Sequence, residues 1–150
     1  DTVIGKQGHS VLVTLVERKT RFSVAIKAAN KTAQAVTEAI CDNLKPYQDR
    51  VFTLTYDNGR EFAYHEQIAH NLKAEGFFAH PYHSWERGLN ENTNGLIRQY
   101  IPKGKDIDDL SDQQVAQIMN KINNRPRKCL GFKTPNQLFL GLNQPVAMAS

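Results

Sequence analysis

A chain of 150 residues, 40% hydrophobic and 23% charged, has the size of one domain, and at that length roughly 70% of the unfolded surface becomes buried. This composition excludes a disordered or fibrous chain, and the longest apolar stretch, around Val11 to Val16, is far too short to span a bilayer. Nineteen Lys and Arg against fifteen Asp and Glu leave a net charge of +4, which marks an ordinary solvated surface as readily as a nucleic-acid footprint. Cys41 and Cys129 lie far apart without metal-ligand spacing, and "DTVIGKQG" lacks a basic region followed by an apolar run. No signal peptide and a reducing, cytoplasmic setting are expected.

In chain order, "DTVI" before Gly5 and Gly8 reads as the end of a first strand. Ser10 to Val16, "SVLVTLV", is apolar on both faces and suits a central strand covered on both sides. "ERKTR" supplies a polar turn, and Phe22 to Ala28 returns beside it, so three antiparallel strands open the domain. Thr32 can cap a helix with Val36, Ala39, Ile40 and Leu44 on one face, ended near Pro46. "VFTLTY" then reads as a strand joining the sheet parallel to an earlier one. A polar helix is expected from about Glu61 to Lys73, with Phe62, His65, Ile68, Ala69 and Leu72 on one face, and "GFFAH" is a last short strand before Pro81. After a connection to Asn92, "ENTNGLIRQYI" carries a weak helical stripe. Ser111 with Gln114 and Thr134 with Gln137 match capping boxes opening two further helices, the first with Val115, Ile118, Met119 and Ile122 at helical spacing. The order βββ-α-β-α-β-α-α predicts an α/β fold: a mixed sheet of about five strands with helices on both faces.

Acidic residues raise the functional question. Asp57 ends the strand "VFTLTY" and precedes Asn58 and Gly59, a pair that serves tight turns. The same position, the C-terminal end of a parallel strand, is where open α/β sheets place ligands. Glu91 stands near the start of a helix, where the dipole favours an ionised carboxylate. Gly95 and Arg98, four and seven residues on, share its face. Among the other acids, Glu61, four residues after Asp57 and so able to lie near it, is either a rival ligand or, the favoured reading, a first-turn helix acid, Glu86 is a solvent-facing or salt-bridged loop acid and Glu17 a hairpin-turn residue. His80 and His83 in "HPYH" have no Cys or further His at zinc-ligand spacing, and Trp85 is either a base-stacking platform or a loop anchor.

Taken together, "YDNGREF", "HPYHSWERGLNENTNGLIRQY" and "NNRPRKCLGFKTPNQLF" resemble the catalytic core of DDE transposases and retroviral-type integrases, most closely the insertion sequence thirty family of bacterial transposases. The resemblance covers nearly all 150 residues. It implies a ribonuclease H-like fold and a triad of two aspartates and a glutamate binding two Mg²⁺ (or Mn²⁺) ions. Asp57 matches the second aspartate and Glu91 the glutamate, with the 33 intervening residues typical of that family. Arg98 matches its basic residue seven places on. Asp1 fits the first aspartate, on a first strand truncated at its N-terminus, within a single core domain spanning 1–150. Asn58, Gly59, Trp85 and Asn94 are supporting residues, and Arg87, Arg98, Arg125, Arg127, Lys128 and Lys133 are candidate phosphate contacts.

The activity implied is metal-dependent hydrolysis at the 3′ ends of a mobile element and their transfer to target DNA. The partners implied are element ends, target DNA and a second copy of the chain or more, with no membrane, in a bacterial cytoplasm at the nucleoid. A purely hydrolytic ribonuclease H-like nuclease and a noncatalytic DNA-binding or assembly module are the alternatives.

Overall fold

The first sheet is built around Val11–Val16 (β2), flanked antiparallel by Thr2–Ile4 (β1) and Ser23–Ala28 (β3). The computed structural model describes residues 1–6, 9–83 and 88–141. The alternation of β2 sends Val11 and Val13 to one face and Leu12 to the other, and all three are buried. On the first face they meet Val36, Ile40 and Leu44 of Ala33–Leu44 (α1), with Ile68 and Leu72 of His65–Leu72 (α2). On the second, Leu12 and Val3 meet Ile97 and Ile101 at the end of Gly88–Tyr100 (α3), with Val115, Met119 and Ile122 of Asp112–Asn123 (α4). Full burial of each such aliphatic side chain stabilises the fold by about 1.5–3 kcal/mol before entropy is charged against it. Helices thus cover both faces, as the binary pattern requires.

Local signals set the helix starts. Thr32 accepts from the Ala35 N–H, and both capping boxes form: Ser111 with Gln114 opens α4, and Thr134 with Gln137 opens Pro135–Phe139 (α5). The Glu17 carboxylate takes the N–H groups of Lys19 and Thr20 and so holds the β2–β3 hairpin, as its position in sequence suggests.

Two expectations are corrected. Thr53–Tyr56 (β4) does not join the first sheet: it pairs in parallel with Glu75–Phe78 (β5), giving a three-stranded antiparallel and a two-stranded parallel sheet in place of one five-stranded sheet. Leu15 and Val16 of β2 instead line a cleft whose lining also includes Thr53–Tyr56. The helix expected from about Glu61 is likewise divided. A 3₁₀ turn, Arg60–Phe62, carries Glu61 and Phe62 into the interior, and α2 starts only at His65.

Tyr56, at the end of β4, is 3% exposed and its hydroxyl has no hydrogen-bond partner among the described residues. Burial pushes its ionisation well above the usual range. A buried unsatisfied hydroxyl costs about 1–3 kcal/mol, so Tyr56→Phe is expected to stabilise the protein by about 1 kcal/mol, measured as a higher urea midpoint with an unchanged slope.

Candidate active site

Asp57 follows β4 at the carboxyl end of a parallel strand pair. Its Oδ1 accepts the Gly59 N–H at 3.0 Å, closing the turn on itself, and Asn58 Nδ2 donates to the Ala79 carbonyl at 3.2 Å, tying the turn to the end of β5. Asn58 and Gly59 therefore do shape the turn that presents Asp57. Glycine suits this position by space rather than by dihedral angle: a Cβ at Gly59 would press on the Glu61 carboxylate and lie 2.9 Å from Asp57 Oδ1, so both acids would have to shift.

Asp1 reaches the same place from the other sheet. Asp1 and Thr14 exchange backbone hydrogen bonds of 3.1 and 2.8 Å, continuing the β1–β2 ladder. The Asp1 carboxylate accepts from the Thr2 N–H at 2.8 Å and from Asn94 Nδ2 at 2.9 Å. Asn94 in turn accepts from the Thr14 hydroxyl at 2.9 Å, so one amide on α3 holds both the acid and the central strand. Asp1, Thr14, Tyr56, Asp57, Leu89 and Asn90 line one cleft of about 300 Å³.

Glu91 is exposed in the first turn of α3, next in sequence to Asn90, but does not itself line the cleft. Among the described residues no group of three or more His, Cys, Asp and Glu side chains is gathered to hold a metal ion. The structure thus brings Asp1 and Asp57 to one cleft and leaves Glu91 outside its lining. The register of α3 is set by Asn94 on Asp1 and by Arg98, whose Nη2 donates to the Ile4 carbonyl at 2.8 Å. Arg98 Nη1 is buried and has no hydrogen-bond partner among the described residues.

The remaining basic candidates separate by exposure. Lys128 and Lys133 are exposed, Arg125 leans toward Gln99 Oε1 at 3.5 Å, and Arg127 Nη2 is spent on the Ile122 carbonyl at 3.1 Å. Arg87, Trp85 and Glu86 lie outside the described residues. His80 and His83 sit side by side after β5, ring centroids 5.4 Å apart.

Sequence reasoning passed over several residues. Arg18 and Arg50 line the cleft; Arg50 also donates to the Phe139 carbonyl and sits over its ring. Glu61 stands in the first turn of the 3₁₀ helix and is 6% exposed, accepting from the Thr2 hydroxyl at 3.0 Å and paired with Lys31 at 3.3 Å. Burial pushes its carboxyl up, but hydrogen bonds from its own backbone N–H, Thr2 and Lys31, with the Lys31 charge, outweigh this and hold it below the usual carboxylate range. The only hint in the sequence was its position two residues beyond Gly59.

No protein-family model matches the chain. The transposase of insertion sequence element IS4351 from Bacteroides fragilis is 49% identical over 139 residues, covering 93% of this chain and 43% of that protein. The transposase InsI of IS30A from Escherichia coli strain K12 is 36% identical over 140 residues, covering 93% and 36%. The chain therefore spans about two fifths of the length of these relatives. Among solved structures, the catalytic core domain of BIV integrase superposes with a TM-score of 0.67 at 19% identity, covering 94% of this chain and 91% of that one. The HTLV-2 integrase catalytic core domain, solved with magnesium in a trimeric form, gives 0.67 at 16% identity, covering 91% and 89%. Among the described residues no helix is long and apolar enough to cross a membrane. By sequence the chain is a homologue of IS30-family insertion-sequence transposases, and its fold is that of the integrase catalytic cores.

Proposed function

We propose that residues 1–150 form a single catalytic core of a DNA transposase, hydrolysing the 3′ ends of its element and joining them to target DNA. The observation that carries this reading is the meeting of Asp1 and Asp57, from two different sheets, in one cleft. Their donors are carboxylate oxygens only, which suit Mg²⁺ or Mn²⁺, and Mg²⁺ is commonly bound through one or two carboxylates with substrate phosphates completing its shell. Asp1 and Asp57 would hold the ions, with Glu91 added by α3. Two such ions, when bound, polarise the scissile phosphate and serve both the attacking and the leaving oxygen.

The chain's own residues supply position. The Thr2 N–H and Asn94 fix the orientation of Asp1, and the Gly59 N–H fixes that of Asp57. Arg18 at the cleft, with the exposed Lys128 and Lys133, offers cations to the DNA backbone. The protein would work in the bacterial cytoplasm on nucleoid DNA, as a dimer or larger assembly holding two ends together. A single mass for one chain, with and without DNA, would overturn that last point.

Incubation of precut element ends and target DNA with Mg²⁺ or Mn²⁺ tests the reading. Covalent joining of the 3′-OH to target is expected. Cutting without joining would favour the purely hydrolytic nuclease. Binding without either, independent of metal, would favour an assembly module, for which the place of Glu91 outside the cleft lining is the supporting observation. If the basic contacts are to phosphate, Lys128→Ala and Lys133→Ala should each lower the slope of log K against log salt by about 1 and weaken binding evenly across sequences. An unchanged slope would remove both residues from the interface.

A further inference from the structure

Two sheets carry the two aspartates, and the strand pairings do not join them: β1 pairs with β2, and β4 with β5. A side-chain bridge crosses instead. Glu61, buried two residues beyond Gly59, accepts through Oε1 from the hydroxyl of Thr2, the residue that follows Asp1. Lys31, just before α1, neutralises the same oxygen at 3.3 Å. Oε2 of Glu61 and Oδ1 of Asp57 both border the point that a Cβ of Gly59 would occupy. Thr2 is itself bound to Asp1, its N–H donating to Asp1 Oδ1 at 2.8 Å.

The geometry points to Glu61 as a positioning residue: through Thr2 on one side and the Gly59 turn on the other, it sets the separation of Asp1 and Asp57 and thereby their joint affinity for a divalent cation. This rests on the functional reading above. The bridge is short and has few soft torsions, because the Thr2 hydroxyl is one Cβ from the backbone and Glu61 is held by the 3₁₀ turn that contains it. Besides Lys31, the Glu61 carboxylate takes the hydroxyl of Thr2 on the same oxygen. The added bond to Thr2 spends an oxygen of Glu61 on the residue beside a cleft acid.

Titration of the full chain with Mn²⁺ alone, followed by electron paramagnetic resonance, tests this. Glu61→Gln and Thr2→Val are each expected to weaken Mn²⁺ binding about tenfold, Thr2→Ser to restore it, and Asp57→Asn to abolish the same binding event. Thr2 is only partly buried, so Thr2→Val keeps the test decisive should Glu61→Gln fail to fold. Wild-type Mn²⁺ affinity in Thr2→Val, with Asp57→Asn still abolishing binding, would overturn the positioning role and leave the functional reading standing. Unchanged binding in Asp57→Asn would instead strike at the functional reading itself. Equal weakening by Thr2→Val and Thr2→Ser would show that the hydroxyl bridge does not transmit the effect.

Discussion

Asp57→Asn is expected to lower DNA cleavage and strand transfer by about 10³-fold or more while leaving the thermal midpoint nearly unchanged. A metal positioned to stabilise charge on the reacting oxygens contributes several kcal/mol to the barrier, and each 1.36 kcal/mol is a tenfold change in rate. Asparagine is the informative replacement because its Oδ1 can still accept the Gly59 N–H that Asp57 accepts at 3.0 Å, so the turn persists and the charge is lost. Single-turnover cutting of a labelled element end, measured beside a melting curve, separates the two effects. Wild-type cutting by the variant would exclude Asp57 from the chemistry.

The largest expected loss of stability comes from Ile97→Ala. Ile97 is fully buried on α3, in the cluster that contains Leu12 of the central strand and Val115, Met119 and Ile122 of α4. Truncation at such a site typically costs about 2–5 kcal/mol, because neighbours pinned by a strand and a second helix collapse only partly into the cavity. At this chain length the midpoint falls by about 2–4 °C per kcal/mol, so a drop of at least about 4 °C is expected in calorimetry. Asn94 and Glu91 ride on the same helix, so metal-dependent activity should fall with it. A midpoint unchanged within 1 °C of experimental scatter, roughly, would mean that α3 is not fastened through this residue.

What could be read in the sequence was what is local. Ser111 with Gln114 and Thr134 with Gln137 announce helix starts from four-residue patterns, and both boxes form. The apolar run of β2 announces burial on both faces, and Val11, Leu12 and Val13 are buried. The partner of β4 was not legible in this way. "VFTLTY" pairs equally well with any free edge, and its parallel partner β5 lies beyond a 3₁₀ turn and α2, where no local pattern announces it.

The site shows the same division. The Asp-Asn-Gly turn was legible because Asx and Gly chemistry acts over three residues. The burial of Glu61 was not legible, because an acid becomes a buried one only when a cation and a donor arrive from elsewhere, here Lys31 and Thr2. For Arg98 the face was legible from helical spacing, but its acceptor, the Ile4 carbonyl, comes from a strand 94 residues away in the chain.

The separation of the two sheets carries a mechanical consequence. Within each sheet, ladder hydrogen bonds resist displacement together, whereas among the described residues no strand pairing joins the two sheets, and the gap between the acids is crossed by side-chain links such as Thr2–Glu61 and by packing. The gap is therefore the compliant dimension of a stiff body, and the work needed to change it is small compared with that needed to shear either sheet. A ligand that grips both acids at once does that work on a spring rather than on the fold, so tightening of the cleft and stiffening of the molecule arrive as one event.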